Sequence, residues 1–311
     1  MIFHDTYLLK QFYMKRRNFI KTTGLSAGIL ALTPKDLLAT IFQEPAYKIK
    51  ILRGDVGIFS EKGGTIGFHL SKEGFTVIDS QFPDQSKHLI TELRKKSELP
   101  FQLLINTHHH GDHTGGNISF KDIAGHVVGH ENCLINYKRV AEQSKTVDKQ
   151  LFQDITFTDG WKHKTGKEHI RAYYFGAAHT NGDTVIHFEH ANIAHVGDLL
   201  FNQMHPFIDR SAGASIKSWL TVLAKIRSTF DKNTLFIFGH ATDPEKVTGS
   251  KEDLLAFEDY LQKLLDFVDA EIKSGKTKDD IIKNKDVPGL SWKAAGAERS
   301  ITAAYDELTS K

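Results

Sequence analysis

A single cysteine, Cys133, among 311 residues excludes an intrachain disulfide and rules out a cysteine-rich zinc cluster. Charge of one sign is also scarce. The chain has 40 Lys and Arg against 38 Asp and Glu, a formal net charge of +2. Residues 1–34 hold five of the bases (Lys10, Lys15, Arg16, Arg17 and Lys21) and one acid (Asp5), so the remainder carries 35 against 37, or about −2. No basic appendage remains to follow a polyanion, and no nucleic-acid partner is expected. Long apolar runs are missing too, so no stable membrane span is expected. Low-complexity segments, long linkers and solenoid repeats are likewise absent. What is present is an ordinary globular balance, long enough for a sizeable core, together with 17 histidines.

The N-terminal stretch from Met14 reads MKRRNFIKTTGLSAGILALTP, with a twin arginine at Arg16 and Arg17 before a weakly apolar run interrupted by Gly24, Ser26 and Gly28. It resembles a twin-arginine export signal, which implies a periplasmic or exported protein and makes Met14 a candidate start. The expected organisation is therefore a signal and linker over 1–45 and one folded domain over 46–311.

Short β-rich runs follow at 47–53, 56–60, 65–70 and 75–79, punctuated by glycines at 54, 63, 64 and 74, the pattern of consecutive hairpins. A helix starting near Asp84 and closed by Pro100 precedes a buried strand over 101–105. The second half is expected to hold strands at 154–158, 169–175, 184–188, 193–196 and 235–238, with a helix over 215–228 before the last. Leu254, Phe257, Leu261, Leu264, Leu265, Val268 and Ile272 recur at helical spacing, one packing face of a long helix. Two shorter helices are expected near 278–284 and 298–309. Strand-rich halves with intervening helices imply sheets packed face to face with helices outside, an α+β architecture.

Chemistry concentrates in Asn106-Thr107-His108-His109-His110-Gly111-Asp112-His113-Thr114-Gly115-Gly116-Asn117, directly after the 101–105 strand. Four potential ligands, His108, His110, Asp112 and His113, lie within six residues. Imidazoles with a carboxylate suit a borderline cation such as zinc, and the glycines let the side chains converge. Unpartnered in a core, the same groups would be costly.

HxHxDH after a strand resembles the signature of the metallo-β-lactamase superfamily. The further motifs of that family are matched in order by Ala178-His179-Thr180-Asn181-Gly182-Asp183, Val196-Gly197-Asp198 and Phe238-Gly239-His240. The resemblance implies a four-layer αβ/βα sandwich with the site at one edge. It also implies two zinc ions, iron or manganese being compatible with the same donors. His108, His110 and His179 would hold the first ion and Asp112, His113 and His240 the second, with Asp198 between them. A hydroxide held by such a pair attacks without a serine or cysteine nucleophile, and Asp112 can orient it as well as ligate.

Thr180 and Asp183 are candidates to accept the outward N–H of a ligand imidazole, with ordinary turn chemistry the alternative for Asp183. His205, in His205-Pro206-Phe207, is a candidate lining residue of a substrate pocket. His109, His126, His130, His163, His187, His190 and His195 match no motif and are expected at the surface or satisfied in the core. Cys133 reads as a small buried apolar residue.

The substrate expected is a small molecule with an ester, thioester, lactone or amide bond, a β-lactam included. Zinc β-lactamases of the commonest type carry cysteine where this chain has Asp198, which weakens that assignment. Two other classes share parts of the pattern: an iron-dependent persulfide dioxygenase-like oxidoreductase, separable by metal analysis, and a non-catalytic metal-binding module, disfavoured by the full second set of donors. The sequence carries no signal of oligomeric state.

Overall fold

A computed structural model describes residues 47–284, 286–290, 292 and 296–310. The signal and linker expected over 1–45 lie outside the described residues. The first sheet has seven strands in chain order: β1 (Lys48–Arg53), β2 (Val56–Ser60), β3 (Ile66–Leu70), β4 (Phe75–Ile78), β5 (Phe101–Ile105), β6 (Ala124–His130) and β7 (Ile155–Phe157). The β1 to β4 pairings are antiparallel, as the glycine-rich turns require, and β4 to β7 run parallel because helices make the crossovers. Those helices are α1 (Pro83–Arg94), a single turn α2 (Gly111–Thr114) with a following 3-10 segment, and α3 (Glu131–Gln143).

The second sheet is built from β8 (Gly160–Thr165), β9 (Glu168–Tyr174), β10 (Thr184–Phe188), β11 (Ile193–Asn202), β12 (Leu235–Ala241) and β13 (Thr248–Gly249), side by side in that order. Only β11 and β12 run parallel, joined by α4 (Ile216–Thr229). After β13 come α5 (Lys251–Lys273), α6 (Lys278–Ile282) and α7 (Ala297–Thr309).

Alternation along the strands sorts the core into three layers. Ile58, Ile78, Leu103, Ile105 and Val128 face Ile170, Ile186, Phe188, Ile193 and Ile237 between the sheets. On the outer side of the first sheet, Phe59, Phe68, Val77 and Leu104 pack on Leu89 and Leu93 of α1. Behind the second sheet, Val185, Val196, Phe236 and Phe238 pack on Trp219 and Ile226 of α4, on the expected stripe of α5, and on Ile301 of α7. The result is the expected four-layer sandwich of two mixed sheets between helices.

Several boundaries differ from the sequence reading. Helix α1 ends at Arg94, well before Pro100, and its N-cap is Phe82 with Pro83 in the first turn, so Asp84 sits inside the helix near the dipole's positive end. Strand β11 runs six residues beyond Val196, through a register shift at Gly197. Helix α7 is tied back to α4 by one carboxylate. Glu307 accepts hydrogen bonds from Ile216 N (2.7 Å), Lys217 N (3.0 Å) and Ser215 Oγ (3.0 Å), which satisfies donors a helix start leaves open. Among the described residues no helix is long and apolar enough to cross a membrane.

Candidate metal centre

The histidine-rich loop leaves the end of β5 and is closed on itself by two asparagines. Asn117 Nδ2 donates to Asn106 Oδ1 at 2.8 Å and Asn106 Nδ2 donates back to Asn117 Oδ1 at 3.1 Å, in a buried setting where an unpaired amide would be costly. His110 caps the single turn α2, so Asp112 and His113 leave that turn toward the strand ends of the second sheet. Asp198 is on β11, and His240 on its parallel neighbour β12. His179 sits in the turn between β9 and β10. Two glycines make the approach possible: a Cβ on Gly239 would lie 2.0 Å from Asp198 Oδ1, and one on Gly64 would lie 2.1 Å from His113 Cε1.

All seven expected donors meet. His108, His110, His179 and Asp198 present atoms within 4.8 Å of one another, and so do Asp112, His113 and His240. Within the first set, His110 Nδ1 lies 3.1 Å from His108 Nε2 and 2.9 Å from His179 Nε2, and Asp198 Oδ2 lies 3.4 Å from His179 Nε2 and 3.8 Å from His108 Nε2. Within the second, His240 Nε2 is 3.0 Å from Asp112 Oδ2 and 3.4 Å from His113 Nε2. Asp198 joins the sets, its Oδ1 3.0 Å from His113 Nε2 and its Oδ2 3.5 Å from His240 Nε2.

The outward nitrogens decide what the inward ones are. His113 Nδ1 donates to Asp79 Oδ2 (2.8 Å), His179 Nδ1 to the Phe207 carbonyl (2.6 Å), and His110 Nε2 to Asp209 Oδ2 (3.0 Å). His108 Nδ1 lies 3.1 Å from Thr107 Oγ1, whose own proton goes to Asp79. With the proton assigned outward, each of these rings turns a bare nitrogen inward, onto other bare nitrogens and carboxylate oxygens. Lone pairs crowded in this way repel unless a cation lies among them. Four-coordinate zinc with nitrogen donors at about 2.0–2.1 Å has donor-to-donor edges of about 3.3 Å, and the observed separations bracket that value. The residues present therefore fit a pair of divalent ions.

Burial and charge push the titrations apart. Burial, then the neighbouring His113, holds His108 well below the ordinary imidazole value, and burial with His110 lowers His179 to about 3. Burial also opposes the charged form of His113, but Asp198, Asp112 and Asp79 outweigh it and raise this imidazole. His240 is raised by Asp198 and Asp112 against the same opposition. Asp112 is held down at about 2 by His113 and His240 despite its burial, and Asp198 is depressed likewise. The cluster opens to solvent on one side only. Side-chain exposure is 31% at Asp112, 22% at His240 and 17% at His110, against at most 4% for the other four.

Thr180 departs from its expected role, and for Asp183 the alternative of turn chemistry is the one seen. Thr180 and Asp183 accept from no ligand imidazole: Asp183 receives Thr180 N (2.7 Å) and Thr180 Oγ1 (2.8 Å), which closes the turn after His179. Burial raises the Asp183 carboxyl to about 8, only partly offset by those two bonds. His205, expected to line a substrate pocket, is buried, and its Nδ1 meets Tyr260 Oη of α5 at 2.8 Å. The groups that do orient the ligands, Asp79 and Asp209, were not singled out in the sequence. Asp79 adopts a left-handed backbone (φ 64°) just past β4, and Asp209 also accepts from Ser211 Oγ and Ala212 N while its own N–H donates to the His179 carbonyl. A carboxylate just past an apolar strand was the only signal for the first, and the second had none. His109 is buried beside His110, with no hydrogen-bond partner for either ring nitrogen among the described residues and its Nε2 3.7 Å from Asp209 Oδ2, whereas His195 is satisfied by the Thr65 carbonyl and Gly197 N.

A family model described as the metallo-beta-lactamase superfamily matches residues 72–256, more than half of the chain, and the chain belongs to that superfamily. Its relatives include a protein named metallo-beta-lactamase type 2 from Elizabethkingia meningoseptica, 22% identical over 76% of this chain and 95% of that protein. A hydroxyacylglutathione hydrolase from Pelagibacter ubique is 31% identical over 40% of this chain and 46% of its own length. Among solved structures, a metallo-beta-lactamase from Pontibacter korlensis superposes with a TM-score of 0.59 at 20% identity, covering 70% of this chain and 99% of that one. The sec-alkyl sulfatase PisA1 superposes with a TM-score of 0.67 at 12% identity, over 84% of this chain and 50% of that one. Both likenesses show the fold.

Proposed function

We propose that the chain is a zinc-dependent hydrolase that cleaves an ester, thioester, lactone or amide bond in a small molecule. His108, His110 and His179 would hold one ion, Asp112, His113 and His240 the other, and Asp198 would serve both. The observation that carries this reading is the set of inward nitrogens whose protons are committed outward to Thr107, Asp79, Asp209 and the Phe207 carbonyl. Bound there, divalent ions acidify water and polarise a scissile carbonyl.

The chain's own residues do the rest. Asp112, ionised through the neutral range and the most exposed donor, would accept a hydrogen bond from the attacking water and so orient it as well as ligate. Buried His108, His113 and His179 are each held by an acceptor that fixes the ring. Cys133 does not compete as a nucleophile, because it is fully buried and burial raises its thiol well above the ordinary value.

Named relatives that are a metallo-beta-lactamase and a hydroxyacylglutathione hydrolase support a hydrolase reading, and Asp198 in place of a cysteine weighs against a dedicated β-lactamase. The twin-arginine-like segment supports export of a protein already folded. Reporter export unchanged after Arg16 and Arg17 become lysine would remove that support.

The test is purification, elemental analysis and a panel of chromogenic esters, lactones, thioesters and a cephalosporin. About two zinc ions per chain and turnover of at least one acyl class are expected. A protein that takes up no metal, or that carries iron and hydrolyses nothing on the panel, overturns the proposal.

A further inference from the structure

Most large apolar side chains of this chain are buried, yet Phe207 is 45% exposed, and it stands beside the donor cluster. Its ring centroid lies 5.4 Å from that of His110 and 6.2 Å from that of His179. Its position is fixed by the backbone, since the Phe207 carbonyl accepts the His179 Nδ1 proton at 2.6 Å. His110 belongs to the more exposed part of the cluster, so the exposed Phe207 ring borders that part.

The charges nearby are already committed. Asp112, Asp198 and Asp209 pair only with histidines among the described residues. Arg210, three residues after Phe207, turns away to Glu307 and the Ala214 carbonyl. Arg139 donates to Asn136. Neither arginine turns toward the ring, so the aromatic face itself is what this part of the rim offers, and it suits an uncharged apolar group.

We propose that Phe207 determines specificity, receiving an apolar or aromatic substituent on the acyl side of the substrate while the scissile carbonyl lies at the metal cluster. The inference rests on the hydrolase reading above and narrows it to acyl donors with an apolar substituent near the carbonyl. An exposed ring can be removed without opening the core, so Phe207→Ala is expected to fold and to keep its metal, because the backbone carbonyl that orients His179 remains.

The experiment compares phenylacetyl and acetyl thioesters of one thiol on the zinc-loaded full chain. The wild type should prefer the phenylacetyl compound in kcat/KM. Phe207→Ala should lower that preference about tenfold, chiefly through KM, and Phe207→Tyr should preserve it. Equal treatment of the two thioesters by the wild type, or an unchanged preference in Phe207→Ala, overturns the proposal. If the wild type turns over neither, the hydrolase reading has failed for thioesters and binding decides the role of Phe207. Titration of phenylacetate and acetate into the zinc-loaded protein should then show tighter phenylacetate binding that Phe207→Ala abolishes, and equal binding overturns it.

Discussion

The two halves of the donor cluster are built from the same residue types but differ in charge. Around His108, His110 and His179 the nitrogen donors are imidazoles, and burial drives His108 and His179 far from protonation. Around Asp112, His113 and His240 a carboxylate joins two imidazoles that neighbouring carboxylates pull toward protonation. Asp198 is common to both. The first half offers a preformed nitrogen site, and in the second a metal ion must compete with protons. Local charge, more than ligand count, should therefore set which ion is held more tightly.

The largest effect expected is on the shared member. Asp198→Ala should remove metal from both halves and cut hydrolysis by at least about a thousandfold, the scale of losing several kcal/mol of metal-derived stabilisation. His110→Ala should empty the nitrogen half first. Elemental analysis beside kinetics checks both, and Asp198→Ala with two ions and normal turnover would break the comparison outright.

Next comes Asp209→Asn, which replaces the acceptor of His110 Nε2–H by an amide. Metal affinity in the nitrogen half should fall by about 10- to 100-fold while the other half is little changed, as read by competition with a chelator. Asp79→Asn offers the contrast. Asp79 holds His113 directly and His108 through Thr107, so both halves should weaken together.

Acidification should separate the halves more gently. A raised imidazole value means that protons bind His113 and His240 at higher pH than they bind His108 and His179, so on lowering the pH the Asp112 half should release its ion first. Stepwise dialysis with metal analysis would show two releases in that order, and simultaneous release or the reverse order would contradict it. The smallest effect is on stability. Glu307→Gln weakens charge-assisted bonds to the start of α4 and should cost about 1–2 kcal/mol in denaturant unfolding. Both ions should be retained unless the Asp209 to Ser215 segment shifts with it.

What could be read from the chain follows from how local each signal is. The ligand loop was legible because four donors crowd behind one apolar strand, and His179, Asp198 and His240 because each stands in a motif that resembles one of the superfamily's, in the expected order and beside a strand. Asp79 and Asp209 act at positions 34 and 99 residues from the imidazoles they hold, and no local pattern marks such a pairing. Strand β6 escaped notice because Gly125, His126, Gly129 and His130 dilute its apolar alternation. Helix α3 escaped because its buried face includes Cys133 and Asn136, while Ile135 and Val140 lie exposed. At Gly197 a left-handed residue (φ 51°) and a register shift look like the end of a strand, although β11 continues to Asn202.

The donors also divide by sheet: His108 to His113 follow a strand of the first, whereas His179, Asp198 and His240 are carried by the second. Ions held by both would act as cross-links at the seam, and by mass action would stabilise the docked arrangement over any state in which the sheets have parted. Metal uptake during folding would then register the moment the two layers close, and stripping the ions would loosen the joint before it melted either sheet.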